Sequence, residues 1–150
     1  MSILSDEAVR SVITRLLHAV DARQWSALPA LFTDDVTTDF TSLFGGEAEW
    51  QRADELIDNW QRLLTPLDAT QHLLGPIDVR VQGPLAVAEC HVRAYHVAEA
   101  AAGGKEWMVS GHYVFELLDD GGAWKVAKLT LQTFYQTGNR QLLHELAGAG

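Results

Sequence analysis

The sequence predicts an α+β fold, with N-terminal helices packed on a curved, mostly antiparallel sheet that encloses a pocket. Three observations carry this expectation. Apolar residues recur at helical spacing as far as Leu64. The period then changes to two, and the later apolar runs are divided by hairpin signals. At 150 residues the chain has the size of one domain, 1–150, long enough to bury most of its unfolded surface.

The helical part reads in three pieces. Ser5 is a candidate N-cap, with Asp6 and Glu7 placed where the helix dipole favours negative charge. Val9, Val12, Ile13, Leu16, Leu17 and Val20 then form one stripe that ends near Asp21. Trp25, Leu28, Leu31 and Phe32 continue it in a second, shorter helix, with Pro29 in the first turn, where its missing N–H is not needed. Asp34-Asp35 closes that helix, and Val36–Phe40 reads as a first strand. After a Gly45-Gly46 loop, Ala53, Leu56, Ile57, Trp60, Leu63 and Leu64 mark a third helix, stopped by Thr65-Pro66.

The strands follow in order. Thr70–Leu74 is short, Ile77, Val79 and Val81 alternate, and Gly83-Pro84 is a turn. Two long strands, Leu85 to about Ala98 and Glu106 to Leu118, flank the Ala100–Gly104 loop. Asp119-Asp120-Gly121-Gly122 then turns the chain into a last strand, Trp124–Tyr135. A short helix over Asn139–Leu146 follows, and Gly148–Gly150 is expected to fray. On the strand from Leu85, the small residues Ala86, Ala88, Cys90 and Ala94 share a face with His96 and leave room beside the sheet.

Composition narrows the function classes. A formal net charge of −9 with scattered basic residues argues against nucleic acid, whose phosphates require clustered Lys and Arg. Cys90 is the single cysteine, so no intrachain disulfide forms and a reducing compartment is expected. The N-terminus lacks the basic and apolar regions of a signal peptide, and no run is long enough for a membrane span. The expectation is a cytoplasmic protein with no membrane partner. A sheet with an apolar outer face would favour a homodimer or homotrimer.

Of the six histidines, His18, His91, His112 and His144 have polar or exposed settings. His72, in Thr70-Gln71-His72-Leu73-Leu74-Gly75, and His96 sit among apolar or small residues, where an unpaired ring nitrogen costs about 1–3 kcal/mol. A satisfied core histidine is the usual explanation for either alone. With Asp21 at a helix end and Tyr113 on a strand, the two make a coherent proton-transfer set. One imidazole takes a proton, a second held by the carboxylate donates one, and the phenol binds an oxygen where charge develops. Two histidines and a carboxylate also match the facial triad of non-haem iron, but no tight ligand spacing supports it. No nucleophilic serine or cysteine motif is present, and Cys90 reads as a small core residue.

At these residues the chain resembles the scytalone dehydratase family and the wider SnoaL-like, NTF2-like superfamily. The likeness spans roughly residues 5–146. It rests on Val20-Asp21-Ala22-Arg23-Gln24-Trp25, Thr70–Gly75, His96, Ser110-Gly111-His112-Tyr113 and Gly122-Ala123-Trp124-Lys125-Val126. The resemblance implies a cone-shaped α+β fold and elimination of water from a cyclic hydroxyketone without metal or organic cofactor. It places the family's two catalytic histidines at His72 and His96, and the acid supporting the second at Asp21. Val20 and Phe40 stand where the family has two carbonyl-polarising tyrosines, and Tyr113 stands where it has an asparagine. A different substrate is implied.

The sequence reading is therefore a cofactor-independent lyase (dehydratase) or isomerase acting on a hydrophobic cyclic carbonyl or hydroxy compound. His72 would be the base, His96 the acid, Asp21 the orienter of His96, and Tyr113 the oxygen-binding donor. Val20, Phe40, Trp60 and Trp107 are the candidate substrate-binding walls, and no metal is expected. The alternatives are a non-catalytic small-molecule-binding module and a dimerisation domain with an incidental cavity.

Overall fold

Helix α1, Ile3–Asp21, is the long strut against which the sheet curls. The structure, a computed structural model, describes residues 3–149. The helix already runs from Ile3, so Ser5 lies in its first turn and is not the cap. Val9, Ile13 and Leu16 are fully buried on the predicted stripe.

The second predicted helix is absent. Pro29 has no N–H to continue a helix, and the segment forms two short 3-10 turns, Trp25–Ala27 and Pro29–Leu31. Phe32 consequently opens strand β1, Phe32–Asp39, and Asp34-Asp35 lies inside that strand. Two further elements that the sequence reading lacked follow: a one-turn helix α2, Thr41–Phe44, and an edge strand β2, Glu49–Arg52. Helix α3 is Ala53–Leu64.

Strands β3 (Ala69–Leu74), β4 (Asp78–Gln82), β5 (Leu85–Val97), β6 (Glu106–Asp120) and β7 (Ala123–Gly138) complete the sheet. Its order is β2-β1-β7-β6-β5-β3, with β4 also on β5; only β1 and β7 pair in parallel. Helix α4, Leu142–Ala149, includes Gly148, where fraying was expected; Gly150 lies outside the described residues. The β6–β7 hairpin turns on Gly121 and Gly122, both at positive φ, as a two-residue loop with this hand requires.

Bulges curve the sheet. Ser110 pairs with Tyr135 but Gly111 pairs with Thr133, so Phe134 is extra on β7. A side chain at Gly111 would place its Cβ 2.5 Å from the Gln132 carbonyl oxygen, so only glycine fits there. On the concave side Ala86, Ala88, Cys90, Ala94 and His96 are all buried on one face of β5. The fold is the predicted α+β arrangement of an N-terminal helix on a curved, unclosed sheet.

One residue pins the exit from α1. Arg23 takes φ 59°, the left-handed region that non-glycine residues avoid. In return its guanidinium donates to the Thr65 carbonyl at 2.8 Å and to the Leu67 carbonyl, tying the end of α3 and the entry to β3 to α1. Arg23→Ala should lower unfolding stability by about 1–3 kcal/mol, the range for losing such bonds. Arg23→Gly, which relieves the positive φ, should cost about 1 kcal/mol less. Urea unfolding of the three proteins checks both.

Candidate active site

Asp21 is the last residue of α1, where it meets the inner face of β3. Thr70 and His72 lie two apart on that face, within reach of its carboxylate. The Thr70 hydroxyl donates to Oδ1 at 2.9 Å, the His72 backbone N–H donates to Oδ2 at 2.7 Å, and His72 Nδ1 lies 2.7 Å from Oδ1. A carboxylate can only accept, so Nδ1 carries a proton, and in the neutral ring that leaves the lone pair on Nε2. Burial works to raise the Asp21 pKa, but the hydrogen bonds and charge of His72, with Thr70, outweigh it and hold the group below its usual value.

This corrects the expected Asp21–His96 pair. His96 lies one strand further, opposite Thr70 on β3 and Trp107 on β6. Its Nδ1 is 3.1 Å from the Trp107 carbonyl oxygen, to which it donates. Its ring stacks on the Trp107 indole, with centroids 4.4 Å apart and planes 30° from parallel. The two imidazoles meet edge to face at 6.2 Å. Burial first, and His72 second, push the His96 pKa down to about 4. His96 is therefore neutral near neutral pH, which does not suit the cationic acid role read from the sequence.

Both rings line a cavity of about 690 Å³ between the helices and the concave sheet. Tyr113, Val20, Phe40, Trp60 and Trp107 line it too, while Asp21 stands behind His72 and does not. Burial pushes the Tyr113 phenol well above its usual pKa, so it stays a donor. Its hydroxyl has no hydrogen-bond partner among the described residues. Among those residues no fully buried side-chain polar atom lacks a partner, so this oxygen is reachable from the cavity.

Several lining residues escaped the sequence reading. Helix α4 turns Leu142 and Leu146 into the core and brings Leu143, His144 and Ala147 to the cavity wall, where His144 is exposed as the sequence predicts. Gln136 also lines it, accepting from Trp107 Nε1 at 2.9 Å. Only the apolar period of α4 hinted at the first group; nothing in the sequence marks Gln136. His91 and His112 lie away from the cavity, edge to face with one another at 5.4 Å, and His112 bonds Glu89. Among the described residues no three His, Cys, Asp or Glu side chains converge as a metal-ligand set, and the Asp21 carboxylate is committed to β3.

Comparison with known families decides the affiliation. The SnoaL-like domain matches residues 1–130. The chain belongs to the SnoaL-like family. No curated protein matches it. Among solved structures, the SnoaL-like chain is similar to the Kfla4162 protein of Kribbella flavida, at 24% identity and a TM-score of 0.86, covering 93% of this chain and 96% of that one. It is also similar to a protein provisionally assigned as a scytalone dehydratase from Novosphingobium aromaticivorans, at 18% identity and a TM-score of 0.79, covering 91% and 89%. A third is the hexachlorocyclohexane dehydrochlorinase LinA-type3 of Novosphingobium barchaimii, at 19% identity and a TM-score of 0.73, covering 91% of each chain. At these identities the likeness establishes the NTF2-like fold. Among the described residues no helix is long and apolar enough to cross a membrane.

The His96 environment predicts a pH effect on stability. A histidine held neutral in the fold, at about 4, binds its proton more weakly than in the unfolded chain, near 6.5. Between those values the unfolded state holds more protons, so stability falls as pH drops from 6.5 towards 4. The loss from this group should total roughly 3 kcal/mol, at 1.36 kcal/mol for each pKa unit. Denaturant unfolding across that window should show a shallower decline in His96→Gln than in the parent.

Proposed function

We propose that the protein is a lyase or isomerase that takes a proton from carbon with His72 Nε2, acting without an organic cofactor or metal on a hydrophobic cyclic carbonyl or hydroxy compound. One observation carries this: His72 Nδ1–H is bound to the partly buried Asp21 carboxylate while the ring lines a largely apolar cavity. A base so held has its tautomer and orientation fixed, and the imidazolium formed on proton uptake is stabilised by Asp21. The Tyr113 hydroxyl is the donor for a carbonyl oxygen as negative charge develops on it. Since His96 is neutral with Nδ1–H directed at a carbonyl, the same His72 Nε2–H returns the proton. Return to a neighbouring carbon gives isomerisation; return to a leaving hydroxyl gives dehydration. The names of two fold relatives, a dehydratase and a dehydrochlorinase, support elimination as the reaction class. A cavity of about 690 Å³ suits a molecule of two or three rings.

Proton abstraction can be read without the natural substrate. Incubation with β-tetralone in D₂O should give exchange of the hydrogens beside its carbonyl faster than buffer alone, followed by NMR. In Asp21→Asn the amide can donate to Nδ1 and turn the ring to the wrong tautomer, so the rate should fall by about 10²–10⁴-fold with the fold intact. Exchange no faster than buffer, or a rate that Asp21→Asn leaves unchanged, contradicts the proposal.

A further inference from the structure

We propose that His96 is the specificity-determining hydrogen-bond acceptor of the cavity, held in that state by Trp107 as a positioning residue, and that the ligand it selects carries a hydroxyl or N–H donor. The inference rests on the cavity being a ligand site, and goes beyond it to what the ligand must present. His96 Nδ1 faces the Trp107 carbonyl, which can only accept, so the single proton of the neutral ring lies there and Nε2 is a lone-pair acceptor. The Ala94 backbone also interacts with the ring, and no side chain among the described residues hydrogen-bonds to Nε2. No fully buried side-chain polar atom among them is left unpaired, so Nε2 opens to the cavity that His96 lines.

Trp107 fixes this arrangement twice, through its carbonyl and through the stacked indole at 4.4 Å. Trp107 is itself only 3% exposed, and its Nε1 donates to Gln136, so the indole plane cannot turn freely. The titratable groups that act on His96 are His72 on β3 and Asp21 behind it, with Glu47, Glu49, Arg140 and His144 elsewhere on the cavity wall, and a positive charge on His72 would oppose one on His96. His72 Nε2 and His96 Nε2 are acceptors when their rings are neutral and Tyr113 is a donor, beside the polar side chains of Thr38, Asn59 and Gln136 that also line the cavity. With His72 reserved for a carbon-bound proton, a ligand lacking a donor would leave His96 buried and unpaired, which is costly.

Two readouts test this on the intact protein. In ¹⁵N NMR, His96 should be the Nδ1–H tautomer, neutral until pH approaches about 4. In Trp107→Leu, which removes the stacked face and part of the burial, it should titrate at a higher pH than in the parent, and Trp107→Phe, which keeps a flat face, should restore the low value. An Nε2–H tautomer in the parent, or unchanged titration in Trp107→Leu, overturns the role of Trp107. In calorimetric titrations, indole should bind about 10-fold or more tightly than N-methylindole, the worth of roughly 1.4 kcal/mol. His96→Leu should abolish that preference. Equal affinities in the parent, no binding of either, or a preference that survives His96→Leu overturns the acceptor role. Failure of deuterium exchange with β-tetralone would remove the proton-transfer chemistry and leave these two results standing.

Discussion

An aspartate at the C-terminal end of a helix sits where the macrodipole repels negative charge, and Asp21 is also partly buried. Its position is unfavourable unless strong partners surround it. Thr70 and two nitrogens of His72 supply them, through both carboxylate oxygens. Those bonds join α1 to β3, the edge strand at the far end of the sheet from β2. The same bonds set the His72 ring. Fold and site thus share one joint, and Arg23 closes it from the other side by holding the ends of α3 and β3 to the α1 turn.

The two central histidines differ because their neighbours differ. His72 has a carboxylate on Nδ1, which stabilises the cation formed when Nε2 accepts a proton. His96 has a neutral carbonyl on Nδ1, an indole against one face and little solvent, so a second positive charge there is opposed. In the proposed chemistry a pair of residues of one type thereby becomes one base and one fixed acceptor. The curved sheet makes room for both. Small side chains on β5 line its concave face, and the extra residue at Phe134 bends β7 around it.

Long periodic elements were legible from sequence. The apolar stripes of α1 and α3 and the alternation along β5, β6 and β7 survive because burial of one face leaves a regular pattern. Elements of three or four residues carry no such period, so the 3-10 turns, α2 and β2 have no signature in the sequence, and Phe32 continues a helical apolar pattern there although it opens a strand. Within the site, the residue types of Asp21, His72, His96 and Tyr113 stood out as polar groups in apolar settings. Which imidazole the carboxylate holds depends on β3 lying beside α1 with His96 a strand away, and no local pattern encodes that. Gln136 looks like a surface residue in sequence, since the cavity it lines is formed by elements far apart in the chain.

The central claim is the protonation geometry of His72, and neutron diffraction from deuterated crystals grown at mildly alkaline pH tests it most directly. The account predicts a deuteron on His72 Nδ1, lying between the ring and the Asp21 carboxylate, with Nε2 bare and turned to the cavity. A deuteron on Nε2 with Nδ1 bare, or an Asp21 carboxylate turned away from the ring, would contradict it.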